Sequence, residues 1–208
     1  MLAGDILVPF KSARTGKSRL AGLLDDARRQ ALCVAMLEQT LDLAEELAGP
    51  DHIWLVSADR DARDAAALRR ICCVEDGGCD LNTALENGRN AVCARGGRDT
   101  GLLVLPTDLP FATPFSIRDA IAGEGEVIIV GDTARSGTNL LYLRGRAIRD
   151  FNFAFGPDSF RRHCDIAANA RLRLRVADDP RISFDLDAPA DYLRWQQSLK
   201  MPANETRP

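Results

Sequence analysis

Leu102-Leu103-Val104-Leu105-Pro106-Thr107-Asp108 is an apolar run that opens, through proline and threonine, into a carboxylate. A short apolar run bounded by turn residues reads as a buried strand, and in an α/β sheet ligands bind where the carboxyl ends of strands meet loops. Phe184-Asp185-Leu186-Asp187-Ala188-Pro189 repeats the pattern with two carboxylates. Hard oxygen ligands at strand ends suit Mg²⁺ carrying a nucleotide phosphate, whereas a single strand-end aspartate is equally a helix cap. Three of them favour the metal when a basic loop stands nearby.

That loop comes early in the chain. Asp5-Ile6-Leu7-Val8-Pro9-Phe10 reads as a strand and runs directly into Lys11-Ser12-Ala13-Arg14-Thr15-Gly16-Lys17-Ser18-Arg19-Leu20. Lys11, Arg14, Lys17 and Arg19 fall within nine residues that include no acid, a cradle for a polyanion; a solvated basic loop is the alternative. Gly16-Lys17-Ser18 invites comparison with the phosphate-binding loop of kinases and GTPases. Lys11 occupies that pattern's first-glycine position, and its Cβ opposes the tight bend required there. A kinase or NTPase of that type remains the alternative reading.

Outward from these segments, strand and helix patterns alternate. Asp25 can cap a helix with apolar positions Leu32, Met36, Leu37, Leu41, Leu43 and Leu47, stopped by Gly49-Pro50. Strands are expected over 52–57, 71–74, 101–105, 126–130, 139–143 and 172–176, with helices over 59–70, 81–95, 116–122, 157–170 and 191–199. The strands at 126–130 and 139–143 can pair as neighbours across Gly131-Asp132-Thr133. The alternation predicts a three-layer α/β fold, Rossmann-like, with a mostly parallel sheet. Residues 1–200 are expected to form a single domain and 201–208, polar and proline-bearing, a flexible tail. Trp195 reads as a packing anchor.

The 208 residues are enough for a real core, and the net charge of −3 provides no global field for nucleic acid or anionic membrane. No apolar run approaches the roughly twenty residues that span a bilayer, so a cytoplasmic location is expected. Six cysteines lack paired Cys-x-x-Cys spacing, and only His52 and His163 are available to join them; reduced thiols are a better reading than zinc at Cys72, Cys73 and Cys79.

Three further segments bear on a site. Gly137-Thr138-Asn139, with Arg135 before it, suits either a tight turn or a close backbone approach to a ligand. Phe155-Gly156-Pro157-Asp158-Ser159 surrounds a helix start, where free N–H groups attract an anion or proline simply opens the helix. Asn82, in Cys79-Asp80-Leu81-Asn82-Thr83-Ala84-Leu85, can read a purine edge or cap a helix.

In order along the chain, these motifs resemble the 2-phospho-L-lactate guanylyltransferase family, also called CofC or FbiD, of coenzyme F-420 biosynthesis. The series is Val8-Pro9-Phe10-Lys11, Lys17-Ser18-Arg19-Leu20, Leu81-Asn82-Thr83-Ala84-Leu85, Leu105-Pro106-Thr107-Asp108-Leu109-Pro110, Gly137-Thr138-Asn139, Phe155-Gly156-Pro157-Asp158-Ser159-Phe160 and Asp185-Leu186-Asp187-Ala188-Pro189. It spans about residues 5–195. Asp80 stands where the family often has glycine, and Phe10 where it has valine.

The resemblance implies a nucleotidyltransferase fold related to the molybdenum cofactor guanylyltransferases. It implies transfer of GMP from GTP to 2-phospho-L-lactate, phosphoenolpyruvate or 3-phosphoglycerate, with pyrophosphate released. Asp108, Asp185 and Asp187 would hold Mg²⁺, in two ions if both attacking and leaving oxygens are clamped. Lys11, Lys17, Arg19 and Asn82 would hold the nucleotide, with Lys11, Lys17 and Asp108 acting in catalysis. Thr138, Gly156 and Ser159 would contact the phospho-acid. The acid's phosphate is already ionised at neutral pH, so no dedicated base is needed. Hand-over of the product to the next enzyme is a further expectation on family grounds, and a non-catalytic GTP-binding module is a further alternative.

Overall fold

Apolar residues in succession along one strand fill both faces of a sheet, because neighbours point to opposite sides. In the computed structural model, which describes residues 2–96 and 101–200, Ile6 and Val8 enter one core while Leu7 enters the other. The sheet has seven strands: β1 (Asp5–Pro9), β2 (Ile53–Val56), β3 (Cys72–Val74), β4 (Leu102–Val104), β5 (Val127–Gly131), β6 (Thr138–Leu143) and β7 (Leu174–Val176). Their order is β3-β2-β1-β4-β6-β5-β7. Every pairing is parallel except those of β6, which runs antiparallel to β4 and β5. The expected mostly parallel sheet is present, and its reversed strand matters: β6 begins at the edge where the others end.

Side-chain capping fixes where the long helices start. Asp25 accepts from Arg28 N at 2.8 Å and opens α1 (Asp26–Ala48), which Gly49 closes at φ 81°. Asp59 opens α2 (Arg60–Leu68) and Asp80 opens α3 (Leu81–Ala94) in the same way. Thr113 and Ser116 form a reciprocal capping box at α4 (Pro114–Ile121). Then follow α5 (Ala147–Asp150), α6 (Ser159–Asn169), α7 (Pro180–Ser183) and α8 (Pro189–Lys200). The one-turn helices α5 and α7 fall outside the sequence expectations, being too short to show periodicity.

Residues of α1, α2, α4 and α7 share one core with the sheet, and those of α3, α5 and α6 share the other, giving the expected three layers. A third cluster joins Leu20, Leu24, Leu32, Met36 and Leu186, with Tyr192 and Trp195 packed against it. It binds the basic loop, α1, the Asp185–Asp187 segment and α8 together, which gives Trp195 the packing role expected. The predicted tail at 201–208 lies outside the described residues. Among the described residues no helix is long and apolar enough to cross a membrane.

Candidate active site

Asp108 leaves the sheet just beyond β4, and its backbone carbonyl accepts from Leu186 N at 2.9 Å. That bond stitches together the two carboxylate-bearing loops. Asn139, on β6, donates from Nδ2 to Ile182 O at 3.0 Å and to Asp185 Oδ1 at 3.4 Å. Burial, and then the charge of Asp108, push the Asp185 carboxyl above its ordinary range. Lys17 Nζ lies 3.4 Å from Asp108 Oδ2, and Arg19 pairs with Asp187. The three aspartates share one rim, yet among the described residues no three His, Cys, Asp or Glu side chains are gathered into a ready metal cage. The donors still fit a hard divalent cation: they are carboxylate oxygens, and one already feels unrelieved charge from another.

Lys17 sits in the left-handed region (φ 53°, ψ 37°), a conformation costly for a residue with a Cβ. Gly16 lets the loop lie on α1, since a Cβ there would stand 2.6 Å from Cys33 Sγ. Asp59, the cap of α2, also accepts from Ala13 N at 3.1 Å and so latches the loop to a second element. Only a three-residue 3-10 turn, Ser18–Leu20, follows Lys17, and α1 starts at Asp26. The loop therefore does not run directly into an α-helix as a kinase-type phosphate loop does, and the kinase-type alternative is not favoured.

Lys11 borders two adjoining clefts. One, of about 260 Å³, is lined by Phe10, Asp76, Cys79, Leu85 and Phe155 among others; the second, of about 160 Å³, includes Lys17, Thr107 and Asp187. The buried Asp76 uses Oδ1 to accept from Gly78 N at 2.7 Å. No sequence signal marks it, because Glu75-Asp76-Gly77-Gly78 is ordinary turn composition.

Asn82 is not the helix cap, and its amide is engaged within the protein. Its Nδ2 donates to Phe155 O at 3.1 Å and its Oδ1 accepts from Phe155 N at 2.7 Å, so the amide edge is engaged with backbone rather than open to a base. Asp80 is the cap of that helix. Asn82 thus braces the loop that carries Gly156.

The turn reading of 132–137 holds: Asp132 accepts from Ser136 N at 2.7 Å and from Gly137 N at 2.9 Å. This turn delivers Thr138 to the same rim. Arg135 is engaged elsewhere, in a bidentate pair with Asp178. Ser159 opens α6 almost fully buried and donates from its N–H to Gly156 O at 3.1 Å, while Asp158 makes no side-chain cap. Thr138 Oγ1 lies 3.0 Å from Nδ1 of the fully buried His163, whose Nε2 accepts from Ala154 N at 2.9 Å. A histidine inside an amphipathic helix has no sequence mark that separates this role from core filling.

A mostly parallel sheet whose strand ends gather carboxylates against a lysine-bearing loop defines a class, the nucleotidyltransferases. Residues 4–196 match the family model described as guanylyl transferase CofC like, and the chain belongs to that family. It is 37% identical over 195 residues to a phosphoenolpyruvate guanylyltransferase from Rubrobacter xylanophilus, covering 92% of this chain and 93% of that protein. It is 30% identical over 188 residues to a 2-phospho-L-lactate guanylyltransferase from Methanocorpusculum labreanum, covering 90% of this chain and 80% of the other. A solved nucleotidyl transferase from Methanothermobacter superposes with a TM-score of 0.63 at 18% identity, over 93% of this chain and 97% of that one, a likeness of fold. The chain is a guanylyltransferase, of the family that the ordered motifs resembled.

Proposed function

We propose that this guanylyltransferase joins GMP from GTP to a three-carbon phospho-acid, releases pyrophosphate, and serves coenzyme F-420 biosynthesis. The observation that supports this most is the meeting of two halves on β6. At the irregularity in the β5–β6 register the two residues serve opposite sides of the sheet: Asn139 reaches Ile182 and Asp185 on the aspartate side, and Thr138 lies against α6 at His163. Phosphoenolpyruvate is the first acid to test, since the 37% identical relative carries its name.

In this reading guanine occupies the larger cleft, where Asp76 presents a carboxylate to the N1–H and N2–H₂ donors that adenine lacks on that edge. Lys11 and Lys17 hold the triphosphate and neutralise charge that gathers on the departing pyrophosphate. Asp108, Asp185 and Asp187 would hold Mg²⁺, which supplies further charge neutralisation at the α-phosphate. Thr138, Ser159 and the backbone at Gly156 orient the acid. Its phosphate oxygen attacks the α-phosphorus in line, the new P–O bond forms as the α–β bridge breaks, and the bond electrons leave with pyrophosphate. Orientation and preorganised charge lower the barrier, with no proton abstraction required.

Purified protein with GTP, Mg²⁺ and each acid separately should release pyrophosphate with phosphoenolpyruvate. Formation of GDP instead, or silence with all three acids despite GTP binding, would overturn the reading. Asp108→Asn and Asp187→Asn should each abolish turnover with an unchanged unfolding profile; turnover retained in both would remove the metal assignment.

A further inference from the structure

Ala154 N–H is a donor only, so the ring nitrogen it meets, Nε2 of His163, carries no proton. A neutral imidazole must then hold its single N–H at Nδ1, facing Thr138 Oγ1 at 3.0 Å. The Thr138 hydroxyl is thereby the acceptor, and among the described residues no second protein group takes its own proton. The ring itself cannot turn freely: it is fully buried, 4.8 Å from Phe155 edge-to-face and 5.4 Å from Phe151 between centroids. An imidazolium would set a second donor against Ala154 N–H. Burial, and then the Arg162 charge, lower its pKa to about 4, so the ring is neutral at physiological pH.

We infer that His163 is a positioning residue for the phospho-acid, holding the Thr138 hydroxyl as an acceptor toward the protein so that its proton is presented to the substrate. This rests on the proposed assignment of Thr138 to that substrate. The same ring holds the 154–156 loop through Ala154, while Asn82 grips Phe155 from the other side. Gly156 is thus steadied by two side chains from two helices, α3 and α6. The ring meets the larger cleft through Phe155, which lines that cleft and against which an aromatic replacement would still pack, so loss of the hydrogen bonds should be felt chiefly by the acid.

Two measurements test it. In a His52→Gln variant, which leaves His163 as the single histidine, nitrogen-15 NMR of the imidazole should report a neutral Nδ1–H tautomer from pH 8 to 6. An Nε2–H tautomer or an imidazolium in that range overturns the inference whether or not the enzyme turns over. In kinetics, His163→Phe should raise KM for the phospho-acid about tenfold, the usual worth of one buried hydrogen bond, with KM for GTP within about twofold. Added to Thr138→Val, the same change should raise that KM by less than it does alone, what remains being the lost Ala154 contact. Equal rises in both KM values, or additive effects of the two substitutions, would show a merely structural role. If His163→Phe does not fold, His163→Leu, which likewise has neither donor nor acceptor, is read by the same criteria. Silence of the wild-type enzyme with every acid would instead sink the proposed function, leaving the tautomer to decide this inference.

Discussion

A histidine kept neutral in the fold and free to protonate outside it makes stability fall with acidity. His163 titrates at about 4 when folded and near 6.5 when unfolded, so between those values the unfolded chain binds the extra proton. Its contribution is complete above about pH 6.5 and is lost as pH falls toward 4, a loss on the order of 3 kcal/mol. Urea unfolding at pH 7 and pH 5 should show the drop, and His163→Phe should flatten it; parallel pH profiles for the two proteins would contradict the assignment. Asp179 is shifted in the same direction, lowered mainly by its hydrogen bond from Arg181, so its stabilisation is complete above the ordinary carboxylate range and is lost only as pH falls below it. Lys17 is a different single-residue case. Glycine adopts its φ of 53° without strain, so Lys17→Gly should leave stability within about 1 kcal/mol of wild type. Turnover should nevertheless fall on the order of a hundredfold, because the charge beside Asp108 is gone. Thermal unfolding and pyrophosphate release measure the two effects separately.

At the scale of elements, the end of the sheet opposite the site is held by close backbone approach. A Cβ on Gly4, where φ is 152°, would stand 2.3 Å from Gly101 O, just ahead of β1 and β4. Gly4→Ala must therefore push these central strands apart, and should cost about 2 to 3 kcal/mol while leaving KM for both substrates unchanged. Denaturant midpoints with steady-state kinetics check it. Strands such as Ile53–Val56 and the Asp25 cap were legible in the sequence because their signals are local: an unbroken apolar run, or a carboxylate one residue ahead of a helix. The caps Asp59 and Asp80 carry the same signal but were not singled out. The reversal of β6 was only half legible. Its pairing with β5 followed from the intervening turn, but its insertion beside β4 depends on contacts far apart in the chain. The bracing role of Asn82 was illegible for the same reason, since its partner Phe155 lies 73 residues away. His163 and Asp76 went unseen because their roles come from neighbours, whereas the aspartate loops and lysines announced themselves by composition.

Across the whole molecule, strain and charge are unevenly placed. Lys17, Arg135 and Asp158 all hold positive φ near the rim, and Asp185 is a half-buried carboxylate facing another negative charge. Such features lower the stability of the free protein, and the repulsion between the two carboxylates is the part that a bound cation would relieve. Asp185→Asn removes the charge but keeps an oxygen for Asn139 Nδ2, so it separates the two demands. A raised carboxyl pKa means the ionised form is disfavoured in the fold, so at pH 7 the substitution should stabilise the free enzyme. A gain of about 1 kcal/mol, or 2 to 4 °C in Tm, is the expected scale for a chain of this length. Saturating GTP with Mg²⁺ should then raise Tm less for the variant than for wild type, since less repulsion remains to be relieved. A variant less stable than wild type when free, or equally stabilised by ligand, would mean that Asp185 is placed for packing rather than for charge.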